Sequence, residues 1–326
     1  LISPILSSDP YIANVQNGLH RIRNCILNHV TTGNPLWRQL ELFINSCAFL
    51  EISALDLLKF HTDKIFLRLK NPPPAGVCVS VTLGIGAETM LERELSALYP
   101  GCEFFGADPN PEVSEQFTRF GRYYSVAVDD STSSISSGRR YIRVLSDING
   151  NYKHVSKPTR EFVQFLREDI ARPMVHFMSI DIEGGEYRLM PYLASRAGKI
   201  AQQRLATLPL ATNFSLDKSE PNDQNRIFTP VGSSLKNEDG ATAYPLVCQI
   251  MLELHGPLDQ FGQTETHFRA ILMKWLAQSG YVPLRAFRLI KHHRFLAFNA
   301  VDPRCVDAFL FDPPSDDWRY NFNALG

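Results

Sequence analysis

Across residues 1–70 the apolar positions fall at helical spacing, and from Val77 onward the pattern changes. Leu40, Phe43, Ile44 and Cys47 form one stripe. It follows Asn34-Pro35, where a side-chain cap and a proline with no N–H to satisfy predict a helix start. The run "NPPPAG", residues 71–76, forbids helix and predicts an extended linker. Beyond it, short apolar runs alternate with amphipathic stretches. "VCVSVTL" (77–83) reads as a strand and residues 88–98 as a helix, with Leu91, Leu95 and Leu98 on one face and Pro100-Gly101 as its stop. "CEFFGADP" predicts a second strand, residues 112–120 a short helix and "YYSVAV" (123–128) a third strand.

After the polar loop "DDSTSSISSG", "RRYIRVL" reads as a small strand, and residues 160–169 as a helix carrying Phe162, Phe165 and Leu166. "MVHFMSIDI" is the fourth strand, followed by a helix over 186–194. Residues 199–244 are polar and irregular, the composition of a surface insertion. "PLVCQIMLELHG" resumes as strand five, and Phe268, Ile271, Leu272, Trp275 and Leu276 mark a helix closed by Gly280. "YVPLRAFRLI" and "RFLAFNAV" end the pattern. The three residues between them, "KHH", read as a tight turn that exposes His292 and His293 and makes the two strands antiparallel. Strand–helix alternation with nearly all-apolar strands predicts an α/β fold: a doubly wound, mostly parallel sheet with an antiparallel last strand. The organisation expected is an N-terminal helical region (1–70), a linker (71–76) and one α/β domain (77–326) with the insertion 199–244.

Composition narrows the functions. A formal net charge of −1 gives no electrostatic case for nucleic acid or an anionic membrane. No apolar run reaches the roughly 18 residues that span a bilayer. The chain starts at Leu1 without a basic n-region, which reads as a fragment with no signal peptide and leaves an upstream anchor open. Six dispersed cysteines contain no C-x-x-C pair. Isolated buried thiols are the plainer expectation, one or two disulfides the alternative. With one glycosylation sequon at Asn213, the compartment stays open between secretory pathway and cytoplasm.

The chemistry concentrates at strand ends. "VTLGIGAET" runs a strand into Gly84-Ile85-Gly86 and then a helix, the context of a nucleotide-type cofactor loop. The third glycine of the dinucleotide fingerprint is absent, and Glu88 in the loop would repel a pyrophosphate. Asp108 ends the second strand, where an acid accepts hydrogen bonds from ribose hydroxyls. An adenosine cofactor without a phosphate, S-adenosylmethionine, fits this set better than NAD.

"SIDIEGGEYRLM" (179–190) places Asp181, Glu183 and Glu186 at the carboxyl end of strand four, with Gly184 and Gly185 permitting a sharp turn. Asp181 and Glu183 point to one side if the strand persists to Glu183. Three close carboxylates raise one another's pKa unless a cation compensates. Glu253 and His255 end strand five in the same way, bringing an imidazole to the cluster as a base or ligand.

Four stretches taken together, "VTLGIGAETMLERELSALYPGCEFFGADP", "SIDIEGGEYRLMPYL", "CQIMLELHG" and "RFLAFNAVDPRCVDAF", resemble the FkbM-type methyltransferase domain, in particular its nematode branch, over roughly residues 77–311. The most specific string is D-x-E-G-x-E, met by Asp181, Glu183, Gly184 and Glu186. The resemblance implies a class I methyltransferase fold, S-adenosylmethionine as cofactor and hydroxyl oxygens as typical acceptors. By position it implies that Gly84 and Gly86 line the methionine part, Asp108 the ribose and Asp181 the reacting end. Glu88 completes the expected cofactor set. This chain has Thr82-Leu83 where the strand-one motif usually carries an acid, and Ala87-Glu88 where an Asn is common.

The leading expectation is an O-methyltransferase acting on a glycan or small molecule, with His255 or Glu183 assisting deprotonation, Asp181 orienting the reactants, and no metal. Two other readings are a metal-dependent glycosyltransferase, since Asp181-Ile182-Glu183 resembles a nucleotide-sugar metal motif, and an inactive methyltransferase fold kept as a binding module.

Overall fold

The computed structural model describes residues 10–32, 35–70, 77–130, 139–145, 152–193, 245–256, 264–289 and 292–310. The linker 71–76, Asn34, the sequon at Asn213 and the insertion 199–244 lie outside the described residues. Two helices open the chain, α1 (Pro10–Thr31) and α2 (Leu36–Ala48). The α2 helix begins at Leu36, with Pro35 before it and no side-chain cap from that position. The Leu36 N–H is satisfied instead by Glu265 from the far end of the chain, at 2.5 Å.

Residues 57–67 correct the all-helical reading of the N-terminal region. They form a hairpin of β1 (Leu57–Lys59) and β2 (Ile65–Leu67), paired Leu57 to Leu67. Asp63 closes its turn at φ 57°, a left-handed conformation that Asp tolerates better than most residues. All three β2 side chains are buried.

The main sheet has seven strands. In chain order they are β3 (Val79–Leu83), β4 (Glu103–Ala107), β5 (Arg122–Tyr124), β9 (Met174–Ile180), β10 (Leu246–His255), β11 (Tyr281–Arg288) and β12 (His292–Asn299). Their spatial order is β11-β12-β10-β9-β3-β4-β5. The β3, β4, β5, β9 and β10 strands run parallel, while β12 enters between β10 and β11 antiparallel to both. The α/β class, the mostly parallel sheet and the antiparallel last strand are as expected. His292 and His293 are not turn residues: they start β12, and His293 is 1% exposed.

A second, three-stranded sheet holds β6 (Ala127–Asp129), β7 (Arg139–Leu145) and β8 (Tyr152–Glu161). The helix expected over 112–120 is α4 (Pro111–Ser114) continued by a 3-10 turn, Glu115–Arg119, and the run read as one third strand divides between β5 and β6. The β8 strand takes the start of the expected 160–169 helix. At its end Glu161 accepts from the Val163 and Gln164 N–H groups. The helix then runs as α5 (Phe162–Gln164) into a wide π turn, Phe165–Ile170, which Ala171 ends at φ 51°.

One face of the sheet is covered by the hairpin, α3 (Met90–Leu98) and α8 (Pro303–Phe309). Phe177 of β9 meets Phe66, Tyr99 and Phe309 there. The N-terminal helices pack with α7 (Glu265–Gln278) on the other side. Arg23, 2% exposed, donates to the Leu276 and Ala277 carbonyls at 2.6 and 2.9 Å. A buried cation on the last carbonyls of α7 satisfies them and complements the helix dipole.

All six cysteines are paired: Cys25–Cys47 joins α1 to α2, Cys78–Cys102 the starts of β3 and β4, and Cys248–Cys305 ties β10 to α8. This overturns the expectation of isolated thiols. Sequence spacing could not pair residues that meet only once the sheet has formed.

Candidate functional site

The site lies at the carboxyl ends of β3, β4, β9 and β10, where an open parallel sheet forms its ligand crevice. Gly84 leaves β3 at φ 78° and Gly86 follows at φ 63°. A Cβ on Gly84 would stand 1.6 Å from the Asp181 carbonyl oxygen, so only glycine lets β3 and β9 converge here.

Asp108, at the end of β4 and 8% exposed, reaches into the glycine loop. Its Oδ2 accepts from the Ile85 and Gly86 N–H groups at 3.0 and 3.1 Å, and its Oδ1 from Asn110 N–H at 2.8 Å. Burial raises its pKa against these hydrogen bonds. The loop N–H groups that would cradle a phosphate are therefore already taken. This donor set suits a cofactor without phosphate, and with the Ser114 side chain as a further partner it holds the Asp108 carboxylate rigidly at the end of β4. Glu88, which follows the glycine loop, is exposed.

Thr82 stands where the strand-one motif usually places an acid. Its hydroxyl donates to Glu92 at 2.6 Å, and Glu92, on the first turn of α3, is only 2% exposed. Negative charge thus reaches the end of β3 from the helix. A Thr two residues before the glycine loop, with a Glu ten positions on, was the available signal.

The β9 strand stops at Ile180, so Asp181 and Glu183 are not strand neighbours. Asp181 N–H still donates to Leu83 O, extending the ladder by one bond. Glu183 then turns left-handed at φ 56°, with Gly184 at φ 94°, and helix α6 (residues 186–193 as described) begins. Glu186, fully buried, accepts the Ile182 N–H at 2.8 Å, holding this turn from inside. Glu183 is a strained non-glycine residue at a crevice edge, a place where such strain is commonly functional.

The three carboxylates converge on His255, the last residue of β10. Its Nδ1 lies 3.1 Å from Glu186 Oε1, its Nε2 3.3 Å from Glu183 Oε2 and 3.8 Å from Asp181 Oδ1. The four residues expected to act together are therefore brought together. Burial alone would lower the His255 pKa, but hydrogen bonds to Glu183 and Glu186, with the charges of Glu186 and Asp181, push it up to about 11. The ring is an imidazolium at neutral pH, not a base. Asp181 moves the other way from an ordinary carboxylate: burial and the Glu253 charge hold its pKa well above the usual range.

Glu253 has a supporting layer on β12 that the sequence reading did not connect to it. Glu253 accepts from His292 at 2.9 Å and from Arg294 at 2.5 Å, both on β12. Against its burial, these partners hold its pKa down to about 2. Arg294 also donates to Thr62 O at 2.9 Å, and Lys64 Nζ reaches Ser179 Oγ at 2.9 Å, so the β1–β2 turn belongs to the site. Nothing in the local sequence of the hairpin announces this.

Among the described residues no helix is long and apolar enough to cross a membrane. No curated protein matches the sequence. Among solved structures the fold is similar to fibrillarin from Aeropyrum pernix, crystallised with natively bound S-adenosyl-L-methionine, at 10% identity over 74% of this chain and 82% of that one. The TM-score of that likeness is 0.31. The sequence matches the Methyltransferase FkbM domain over residues 62–283, which takes in the β1–β2 turn, the glycine loop, Asp108, the carboxylate cluster and His255. The chain belongs to the FkbM methyltransferase family, with S-adenosylmethionine as its cofactor.

Proposed function

We propose that this methyltransferase acts on a hydroxyl oxygen of a small-molecule or glycan acceptor, with Asp181 as the base. The observation that carries the reading is the convergence of Asp181, Glu183 and Glu186 on His255 at one crevice edge, with Asp181 the acid whose pKa burial and the Glu253 charge raise. S-adenosylmethionine supplies an electrophilic methyl group on a sulfonium. Gly84, Gly86, Asp108 and the Thr82–Glu92 pair would hold it at the ends of β3 and β4. Asp181, whose side chain is 28% exposed, takes the proton of the acceptor hydroxyl as the oxygen–methyl bond forms. A carboxyl with a raised pKa is a stronger base than an ordinary one, which suits a hydroxyl donor. His255 cannot take that proton. It stays charged, keeps Glu183 and Glu186 in place and fixes the edge against which Asp181 works. Alignment of acceptor and methyl supplies much of the rate.

Family membership removes the glycosyltransferase reading. The near-neutral net charge supports a neutral acceptor rather than nucleic acid. Three disulfides support residence in an oxidising compartment, the secretory pathway, over the cytoplasm. The test is S-adenosylhomocysteine release over a panel of glycans and hydroxylated small molecules, with the Asp181→Asn variant alongside. Release with a hydroxylated acceptor that falls at least about 100-fold in the variant supports the reading. Cofactor binding by calorimetry with no turnover on any acceptor would favour an inactive binding module, and methylation of amines alone would remove the oxygen assignment.

A further inference from the structure

The β1–β2 turn places one cation, Lys64, at the crevice, where its charge acts on Asp181. Lys64, half-buried, donates to Ser179 Oγ at 2.9 Å, a neutral hydroxyl rather than a carboxylate. An ammonium has three N–H donors, so two remain to be given. Holding a lysine half-buried against a hydroxyl costs desolvation that such a bond only partly offsets.

The surroundings indicate what it faces. Ser179 pairs in register with Thr82 of β3, two residues before the glycine loop, and lies two residues before Asp181 on β9. Thr82 carries Glu92 with it. One cation and two acids thus meet around the mouth of the cofactor loop. His61 N–H, from the same turn, bonds Glu94 of α3 at 3.1 Å, and Arg294 holds Thr62, so the turn that carries Lys64 is clamped from two sides. An α-amino acid end of a ligand, with a carboxylate and an ammonium on one carbon, matches such a paired-charge site.

Resting on the S-adenosylmethionine reading, we propose that Lys64 binds the α-carboxylate of the cofactor's methionyl group, so that the N-terminal hairpin forms one wall of the cofactor site. Lys64 is then a cofactor-binding residue and the hairpin is part of the working domain. The alternative roles, pinning the hairpin to Ser179 and setting a counter-charge near Asp181, make no hydrogen-bonding use of the two remaining donors.

The experiment is calorimetric titration of wild type, Lys64→Met and Lys64→Arg with S-adenosylmethionine and with decarboxylated S-adenosylmethionine, which lacks only the carboxylate. Wild type should prefer the intact cofactor by about 10- to 100-fold, the size of one charge-assisted contact. Lys64→Met should lose that preference by weakening only the intact cofactor, and Lys64→Arg should retain most of it. Equal weakening of both ligands in Lys64→Met, with circular dichroism unchanged, would show a merely structural lysine and overturn the proposal. Unchanged binding of both would overturn it as well. A wild type that binds neither ligand would instead overturn the cofactor reading, and the assignment of Lys64 with it.

Discussion

Nδ1 of His255 lies 3.1 Å from Oε1 of Glu186, and neither side chain is more than 2% exposed. The pair is a buried ion pair completed by Glu183, and it fixes the sign of a pH effect. The folded-state pKa of about 11 exceeds the ordinary 6.5, so this stabilisation is fully present below pH 6.5 and is lost as pH rises toward 11. Replacing His255 with Gln leaves three carboxylates without their cation and should cost about 3–5 kcal/mol. Thermal melts from pH 6.5 to 10 should fall in wild type and stay flatter in His255→Gln; parallel curves would refute the imidazolium.

Acid should destabilise the fold from two other places. His176 and His293 are 4% and 1% exposed, and burial lowers both pKa values to about 4. Their stabilisation is present above pH 6.5 and lost as pH falls toward 4, about 3 kcal/mol each. His293→Phe, packing against Trp37 in the same slot, should reduce the drop in denaturant midpoint between pH 6.5 and 4.5.

Two glycines of the site should respond differently to alanine. At Gly84 the new Cβ would meet the Asp181 backbone at a φ of 78°, so Gly84→Ala should cost about 2–4 kcal/mol and abolish cofactor binding. At Gly185 the nearest atom is Ile182 Cδ1 at 2.8 Å, the end of a side chain that can rotate away. Gly185→Ala should cost about 1 kcal/mol and leave calorimetric binding intact.

Arg23→Met should loosen α1 from α7. Two charge-assisted hydrogen bonds vanish and the Leu276 and Ala277 carbonyls lose their donor, a loss of about 3 kcal/mol by chemical denaturation. Cofactor affinity should not change, since these groups lie at the far end of α7 from the crevice.

Removing the Cys248–Cys305 bridge should destabilise more than removing Cys25–Cys47. The first closes 57 residues and the second 22, which in the chain-entropy treatment is about 4 against about 3 kcal/mol. Paired serine variants measured by urea denaturation give the comparison.

The parallel core was legible because each strand is a short apolar run bounded by turn residues, and all ten residues of β10 are buried as that pattern requires. Asp181, Glu183, Glu186 and His255 were legible because they end consecutive runs, and strand ends in a parallel sheet gather at one edge. The hairpin was not: Leu57, Leu58, Ile65, Phe66 and Leu67 fit a helical stripe as well as a strand pair, and Asp63 alone marked the turn. Lys64 and Arg294 were invisible, and His292 was read as a turn residue, for a different reason. Each reaches the site through contacts between residues 39 to 232 positions apart, and no local pattern encodes which strands will be neighbours.

The insertion of β12 between β10 and β11 has a consequence for synthesis. A nascent chain that has emerged only through β11 has strand β10 with a bare hydrogen-bonding edge and Glu253 with neither His292 nor Arg294. Such an intermediate is both uncharged-for and unzipped at its centre, the state in which strands pair with the wrong partner. The reaction edge therefore gains the partners of Glu253 only after Arg294 has left the ribosome, and a product terminated before it carries the glycine loop, Asp108 and His255 without that support.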